Sequence, residues 1–331
     1  MENKTLLEVK DLKVHFPIQK GIIFKRNAGF IRAVDGVSFS VRKGESLGLV
    51  GESGCGKSTT AMAIAQLQSL TAGSVMFEGT DLTALKKEDL QKMRMNFQIV
   101  FQDPYSSLDP RMRAIDLIAE PMRIYAKRGL LALTESEIEA KATSLMDVCG
   151  LSPTFKGRYP HEFSGGQRQR IGIARALSLE PKLILADEPV SALDVSIQSQ
   201  ILNLLKDLQQ QFDLTFLFIA HDLAVVEYFC SRVAVMYLGH IVETASSQQL
   251  YHDSLHPYTQ ALLSAVPLPD PINARKRKRI ILEGDVPSPS KIHKGCPFVE
   301  RCPKAMKQCS LTPPRLKEVS PGHEVACFLY E

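Results

Sequence analysis

Apolar residues recur at nearly every second position near the start of the chain. Leu7, Val9, Leu12, Val14 and Phe16 predict an early strand over residues 7–16, and Val37, Phe39 and Val41 predict another over 33–41. Together they suggest a β subdomain. Between them, residues 17–32 carry Gly21, Gly29 and several basic side chains and read as an exposed insertion. The pattern then changes. Ser46-Leu47-Gly48-Leu49-Val50 is a continuous apolar run, as in a buried strand, and residues 60–65 form helix readily. Residues 73–79 read as a short strand closed by a turn, and residues 97–101 as an apolar strand ending at Gln102. From 103 to 151 come Pro104, Pro110 and Pro121, then Ile138, Ala142, Leu145 and Met146 at helical spacing over 135–148, which together read as a helical insert. Ser164 is placed to cap a helix expected over 171–177. Residues 183–188 and 214–220 read as strands buried on both faces, with an amphipathic helix over 194–212 between them and a short helix reaching Cys230 after them. Residues 233–242, with Gly239-His240 at their centre, predict a terminal hairpin, and the pattern shows no internal repeat.

With 331 residues, 44% hydrophobic and 23% charged, the chain can bury a full core and carry a second, smaller unit. It holds no apolar run of the roughly 18 residues a spanning helix needs, and Met1-Glu2-Asn3-Lys4 opens no signal-peptide pattern, so a cytoplasmic location is expected. A net charge of +4 gives no argument for nucleic acid, and the basic run from Arg275 to Arg279, in a Pro-flanked linker, reads as solvated. Seven cysteines in a cytoplasmic chain are expected to be thiols or metal ligands. Cys55, Cys149 and Cys230 are scattered, whereas Cys296, Cys302, Cys309 and Cys327 crowd the end of the chain.

Candidate chemistry enters at Gly51-Glu52-Ser53-Gly54-Cys55-Gly56-Lys57-Ser58-Thr59, which fits the phosphate-loop pattern and lies between a strand and a helix. At such a turn free amide hydrogens and the helix dipole face an anion. Lys57 would reach the terminal phosphates of a nucleotide, Ser58 would ligate magnesium, and Gly54 and Gly56 would let the backbone approach. Ser164-Gly165-Gly166-Gln167, with two glycines at a helix start, offers a second anion seat. Asp187 and Glu188 end an apolar strand whose carboxyl end is expected to meet the nucleotide, although carboxylates capping a helix before Pro189 would look the same. His221 ends the next strand at the same edge of the sheet, where a structural role is also open.

These motifs, in this order from about residue 7 to 242, closely resemble the ATP-binding subunits of ABC transporters. The resemblance makes residues 51–59 Walker A, Gln102 the Q-loop residue, Ser164 to Gln167 the signature, Asp187 and Glu188 the end of Walker B, 191–194 the D-loop and His221 the switch histidine. Phe163 stands where leucine is commonest, which leaves the phosphate contacts untouched. The implied fold is α/β: a P-loop ABC ATPase with a RecA-like parallel sheet core, an antiparallel β subdomain, a helical subdomain over about 103–177 and a small cysteine-rich C-terminal domain. The ATP-binding domain is expected over 1–250 and the extension over 251–331. The stretch 100–111, Tyr159-Pro160-His161, His256-Pro257-Tyr258-Thr259, Asp285-Val286-Pro287-Ser288-Pro289 and Gly295-Cys296-Pro297-Phe298 narrow the resemblance to the oligopeptide/dipeptide branch, and most to the second ATPase, the F subunit. Relatives of this architecture also import nickel or glutathione, and soluble ABC ATPases of DNA repair or the ribosome form a more remote alternative. Their long coiled-coil insertions or doubled ATPase units do not occur in this sequence.

The resemblance implies ATP and Mg2+ as cofactors. Mg2+ would be held by Ser58 and Gln102 with Asp187 behind its water shell; Glu188 would polarise the attacking water and His221 would sense the γ-phosphate. Phe16, which by itself reads as core, would stack on the base. The signature would cap the nucleotide of a second ABC ATPase, giving a heterodimer at the cytoplasmic face of the membrane. Two transmembrane permease subunits and an external peptide-binding protein would complete the transporter.

Four thiols in the last 36 residues lie in a Pro/Lys-rich stretch with few apolar residues, which is expected to need a metal to fold. Structural zinc usually takes close C-x₂₋₄-C pairs, whereas the spacings here are five, six and seventeen residues. Thiolate-only iron–sulfur ligation tolerates looser spacing. The resemblance to four-cysteine members of the branch implies a 4Fe-4S cluster on Cys296, Cys302, Cys309 and Cys327, with zinc or unliganded thiols as the other readings.

Overall fold

In the computed structural model, which describes residues 4–20, 26–103, 105–266, 279–291 and 293–331, the apolar runs become strands. In chain order these are β1 (Thr5–Lys20), β2 (Arg26–Arg42), β3 (Ser46–Val50), β4 (Ala72–Phe77), β5 (Thr80–Asp81), β6 (Phe97–Val100), β7 (Leu183–Asp187), β8 (Thr215–Ala220), β9 (Arg232–Tyr237), β10 (His240–Ser246), β11 (Lys317–Ser320) and β12 (His323–Val325). The chain divides into two units, one built on Ala84–Ile219 with Arg42–Glu45, the other on Thr5–Val41, Ser46–Thr83 and Ala220–Glu331.

In the first unit β6, β7 and β8 pair in parallel, with Phe97 opposite Leu183 and Leu183 opposite Thr215. β7 and β8 are buried along their whole length, which is why they read as unbroken apolar runs. The helices Ala114–Lys127, Glu135–Val148 and Gly165–Leu177 pack on one another. The first of them runs through Pro121, although a proline inside a helix costs about 3 kcal/mol or more. Leu117, Ile118 and Met122, all fully buried, offset that cost. A Thr134–Glu137 capping box starts the helix Glu135–Val148 where the spacing predicts it.

In the second unit an antiparallel sheet runs in the order β2-β1-β4-β5, with Leu7 opposite Phe77 and Val9 opposite Val75. β3 lies parallel to β9, and β9, β10, β12 and β11 continue in antiparallel order. Two expectations are corrected here. Residues 17–32 are not simply an exposed insertion, since β1 runs on to Lys20 and β2 begins at Arg26. Pairing along a neighbouring strand recruits residues whose own pattern is polar. Likewise the β9–β10 hairpin is not terminal, because Glu243 and Thr244 pair with Val325 and Glu324 of β12.

The tail is folded by this pairing and by borrowed apolar surface. Phe298 is 1% exposed, its ring centroid 5.2 Å from that of Tyr237 and 5.4 Å from that of Tyr258. Burying one such ring contributes about 1.5–3 kcal/mol. Glu243, fully buried, accepts from the backbone N–H groups of Leu255 (2.7 Å) and His256 (3.0 Å) and lies 2.8 Å from His323 Nε2. The expectation that the tail has too little apolar surface to fold without a metal therefore overlooks surface supplied by residues 237 and 258.

Candidate functional site

In the second unit, β3 delivers residues 51–56 to the start of the helix Lys57–Ile64. Glycine is required at two positions by both conformation and space. Gly51 has φ +153° and Gly56 φ +110°, and a Cβ would sit 2.1 Å from the Met236 carbonyl oxygen at the first and 2.1 Å from that of Ala33 at the second. At Gly54 a Cβ would meet open space among the described residues, which leaves room for an anion on that side of the loop. No side chain among the described residues caps the helix at Gly56, whose backbone is left-handed. Lys57 is 5% exposed, and its Nζ donates to the carbonyl oxygens of Gly51 (2.8 Å) and Glu52 (3.1 Å), which curls the ammonium back across the loop. Ser53 and Ser58 are exposed, Thr59 is half-buried, and burial pushes the Cys55 thiol up. Such a loop fits a polyphosphate: a cation, a helix start and glycines surround an open face.

Phe16 lies half-buried on β1 and His221 is exposed directly after β8; both belong to this unit. The Asp222 side chain accepts from the N–H of Ala224 at 2.9 Å and caps the helix Leu223–Phe229, so it is spoken for structurally.

In the first unit the structure brings Gln102 and Glu188 together. Gln102 Nε2 donates to Glu188 Oε2 at 3.0 Å and lies 3.5 Å from Ser191 Oγ. Asp187, 6% exposed, ends β7, and Glu188 follows at φ +47° with its N–H donating to the Ile219 carbonyl. A left-handed non-glycine residue is strained, and such strain gathers at functional sites. Ser164 does cap a helix, but that helix is Gly165–Leu177, six residues earlier than the apolar spacing predicts. Ser164 Oγ accepts from the Gln167 N–H at 3.3 Å, and Gln167 Oε1 accepts from the Ser164 N–H at 3.0 Å. The early start is hidden because Gly165 and Gly166 are poor helix formers. Gly166 is needed for space, since a Cβ there would lie 2.5 Å from Ile197 Cγ2, whereas at Gly165 the nearest atom would be Leu193 Cδ2 at 3.3 Å. Ser164 and Gly165 are exposed.

Cys296, Cys302, Cys309 and Cys327 are free thiols that line one cavity of about 10 Å³ with Phe298, His256 and Met306 among its walls. Burial pushes the Cys296 thiol up to about 11 and raises those of Cys302 and Cys327. Among the described residues, no group of three or more Cys, His, Asp or Glu is placed to hold a metal ion, so the placement gives the expected 4Fe-4S cluster no support. Of the basic run, residues 275–278 lie outside the described residues.

Sequence reasoning missed what holds Glu52. Its carboxylate is gripped by Arg301, Nη1 to Oε2 at 2.8 Å and Nη2 to Oε1 at 3.1 Å, and its N–H donates to the Tyr258 hydroxyl at 2.9 Å. Tyr258 belongs to the His256–Thr259 tail motif, but no spacing rule links it or Arg301 to a loop some 200 residues earlier.

Comparison with known proteins covers the whole chain. A family model described as "ABC transporter" matches residues 34–191, and one described as "Oligopeptide/dipeptide transporter, C-terminal region" matches residues 242–309. The oligopeptide transport ATP-binding protein AppF of Bacillus subtilis is 52% identical over 99% of this chain and 98% of its own length. OppF of Salmonella typhimurium, also an oligopeptide transport ATP-binding protein, is 51% identical over 99% of this chain and 97% of its own. Among solved structures, the dimeric post-hydrolysis ATP-binding cassette MJ0796 bound to ADP and Pi is similar at 29% identity with a TM-score of 0.64, covering 73% of this chain and 99% of that one.

Proposed function

The chain belongs to the ATP-binding subunits of oligopeptide/dipeptide ABC transporters, and from that premise we propose how its residues divide the work. It is the ATPase of a peptide importer, with the P-loop ABC ATPase fold, and it acts as a peripheral subunit of a membrane transporter. Among the described residues no helix is long and apolar enough to cross a membrane. Its activity implies a permease and a substrate-binding protein as partners.

The finer assignments are ours. The Lys57 ammonium and amides of the phosphate loop bind the β- and γ-phosphates and neutralise the charge that builds during transfer. Ser58 and Gln102 are the magnesium ligands, with Asp187 behind them; bound Mg2+ supplies further charge neutralisation. Glu188 orients and polarises the attacking water, and the carboxamide of Gln102 keeps its carboxylate turned to that task. His221 completes the site toward the γ-phosphate, and Phe16 stacks on the base. Ser164, Gly165, Gly166 and Gln167 face the nucleotide of a second ABC ATPase in a heterodimer. Two permease subunits dock at the cytoplasmic face on the helical subdomain, about 103–177. Residues 1–250 form the ATP-binding region and 251–331 the extension. The observation that carries this reading is the loop itself, where Lys57 closes over glycines that tolerate no Cβ.

The test is Glu188→Gln in the assembled transporter. Nucleotide binding should stay intact while turnover at this site falls by about 10²–10⁴-fold, the usual worth of a positioned base. Hydrolysis at the wild-type rate would overturn the assignment.

For the tail we propose that Cys296, Cys302, Cys309 and Cys327 together hold a 4Fe-4S cluster. The support is donor chemistry alone, four thiols in the tail that form no disulfide; their placement adds none. Bound there, the cluster would crosslink the tail and supply no redox step. Protein purified without oxygen should be brown and carry about four irons per chain. A colourless preparation, with one zinc or no metal, would refute it.

A further inference from the structure

We propose that Arg301, in the cysteine-rich tail, is a positioning residue for the phosphate loop: it clamps and neutralises the Glu52 carboxylate and so couples the fold of the tail to ATP affinity. The inference rests on reading residues 51–59 as the nucleotide seat.

Glu52 is the second residue of the loop, and three of its groups are held. Its carbonyl oxygen receives Lys57 Nζ at 3.1 Å, so the placement of this peptide sets the placement of the ammonium. Its N–H reaches the Tyr258 hydroxyl, and its carboxylate takes two parallel bonds from the Arg301 guanidinium. The last two anchors come from beyond residue 256. The Arg301 side chain is 8% exposed and that of Glu52 26%, so water screens the pair only in part.

Arg301 is itself placed by the tail. Its N–H donates to the Phe298 carbonyl at 3.1 Å, its guanidinium lies 5.9 Å from the Tyr237 ring centroid, and Cys302 follows it. Phe298 is wedged between Tyr237 and Tyr258. A tail that loosens withdraws the guanidinium and leaves a bare carboxylate on a loop built to receive a polyanion. Repulsion then weakens nucleotide binding, while Glu188 and the other groups that act on water are untouched.

The sign of this effect supplies the test, made with the full chain in the assembled transporter. Arg301→Met should raise the KM for ATP about tenfold, or about 1.4 kcal/mol, with kcat changed less than about twofold. Arg301→Lys, which keeps the charge and loses the two-bond geometry, should fall between. Glu52→Gln removes the carboxylate charge that Arg301 neutralises and serves as the second half of a double-variant cycle. Added to Arg301→Met, it should bring the KM most of the way back, because the repelling charge has gone. A purely structural role predicts no such rescue. The proposal fails if Arg301→Met leaves the KM within twofold, or if the double variant binds ATP no better than Arg301→Met alone. Lys57→Ala tests the underlying reading separately: ATP affinity unchanged there would remove the nucleotide seat itself, whatever Arg301→Met does.

Discussion

Gly56 and Glu188 both hold left-handed backbone, for different reasons. At Gly56 the conformation and a carbonyl at 2.1 Å both exclude a side chain. At Glu188 a carboxylate accepts φ +47° because β7 ends there and its N–H is committed to Ile219. Gly54 separates conformation from space, since it has φ +78° and open surroundings among the described residues. In the unliganded protein Gly54→Ala should therefore cost only the backbone strain, about 1–3 kcal/mol, although its Cβ would take space from a bound anion. Gly56→Ala must also displace the Ala33 peptide or deform the loop, and ATP binding should be lost outright. Equilibrium nucleotide binding on the two variants checks the order, and equal losses would show that space is not the constraint.

The helix Gly165–Leu177 illustrates how a cap and a function share one residue. Ser164 terminates the preceding chain, satisfies the Gln167 N–H and stands exposed at the positive end of a 13-residue helix dipole. Ser164→Ala should lower stability by about 1 kcal/mol through the lost cap. ATP binding by the isolated chain should survive, since the proposed contact is with a partner's nucleotide, while ATPase activity of the assembled transporter should fall. Calorimetry together with the two activity measurements separates these effects. Lost binding by the isolated chain would place the signature on its own nucleotide and overturn the assignment.

The protein as a whole should lose stability in mild acid through the tail's anchoring. His256 is 1% exposed, and burial pulls its pKa down to about 4. Folded, it stays neutral; unfolded, it takes a proton near 6.5. Its contribution is therefore fully present above about pH 6.5 and is lost at up to about 1.4 kcal/mol per unit as pH falls from there toward 4. His256 also caps the helix Pro257–Ser264 by accepting the Tyr258 N–H at 3.1 Å. His256→Asn keeps an acceptor for that cap and removes the titration, so denaturation midpoints measured between pH 5 and 7 should flatten in the variant. An unchanged slope would assign the acid sensitivity to other groups.

The strand, turn and helix start around residues 51–57 are legible in the sequence, because glycines and a lysine at set distances along the chain encode local geometry. Strands buried on both faces are equally plain, since β7 from Leu183 to Ala186 and β8 from Phe216 to Ala220 are unbroken apolar runs. Partners far apart along the chain were decided elsewhere. The Gln102–Glu188 bond joins residues 86 apart, and the Glu52–Arg301 pair joins residues 249 apart. The helix through Pro121 exists because Leu117, Ile118 and Met122 are buried against neighbours, which no local preference foretells. The tail looked unable to fold unaided because its own residues carry few apolar groups; Tyr237 and Tyr258 supply the missing surface, and β10 supplies a strand to pair with. Propensity and motif act over a few residues, whereas burial and ion pairing depend on which surfaces meet, and only the folded chain sets that.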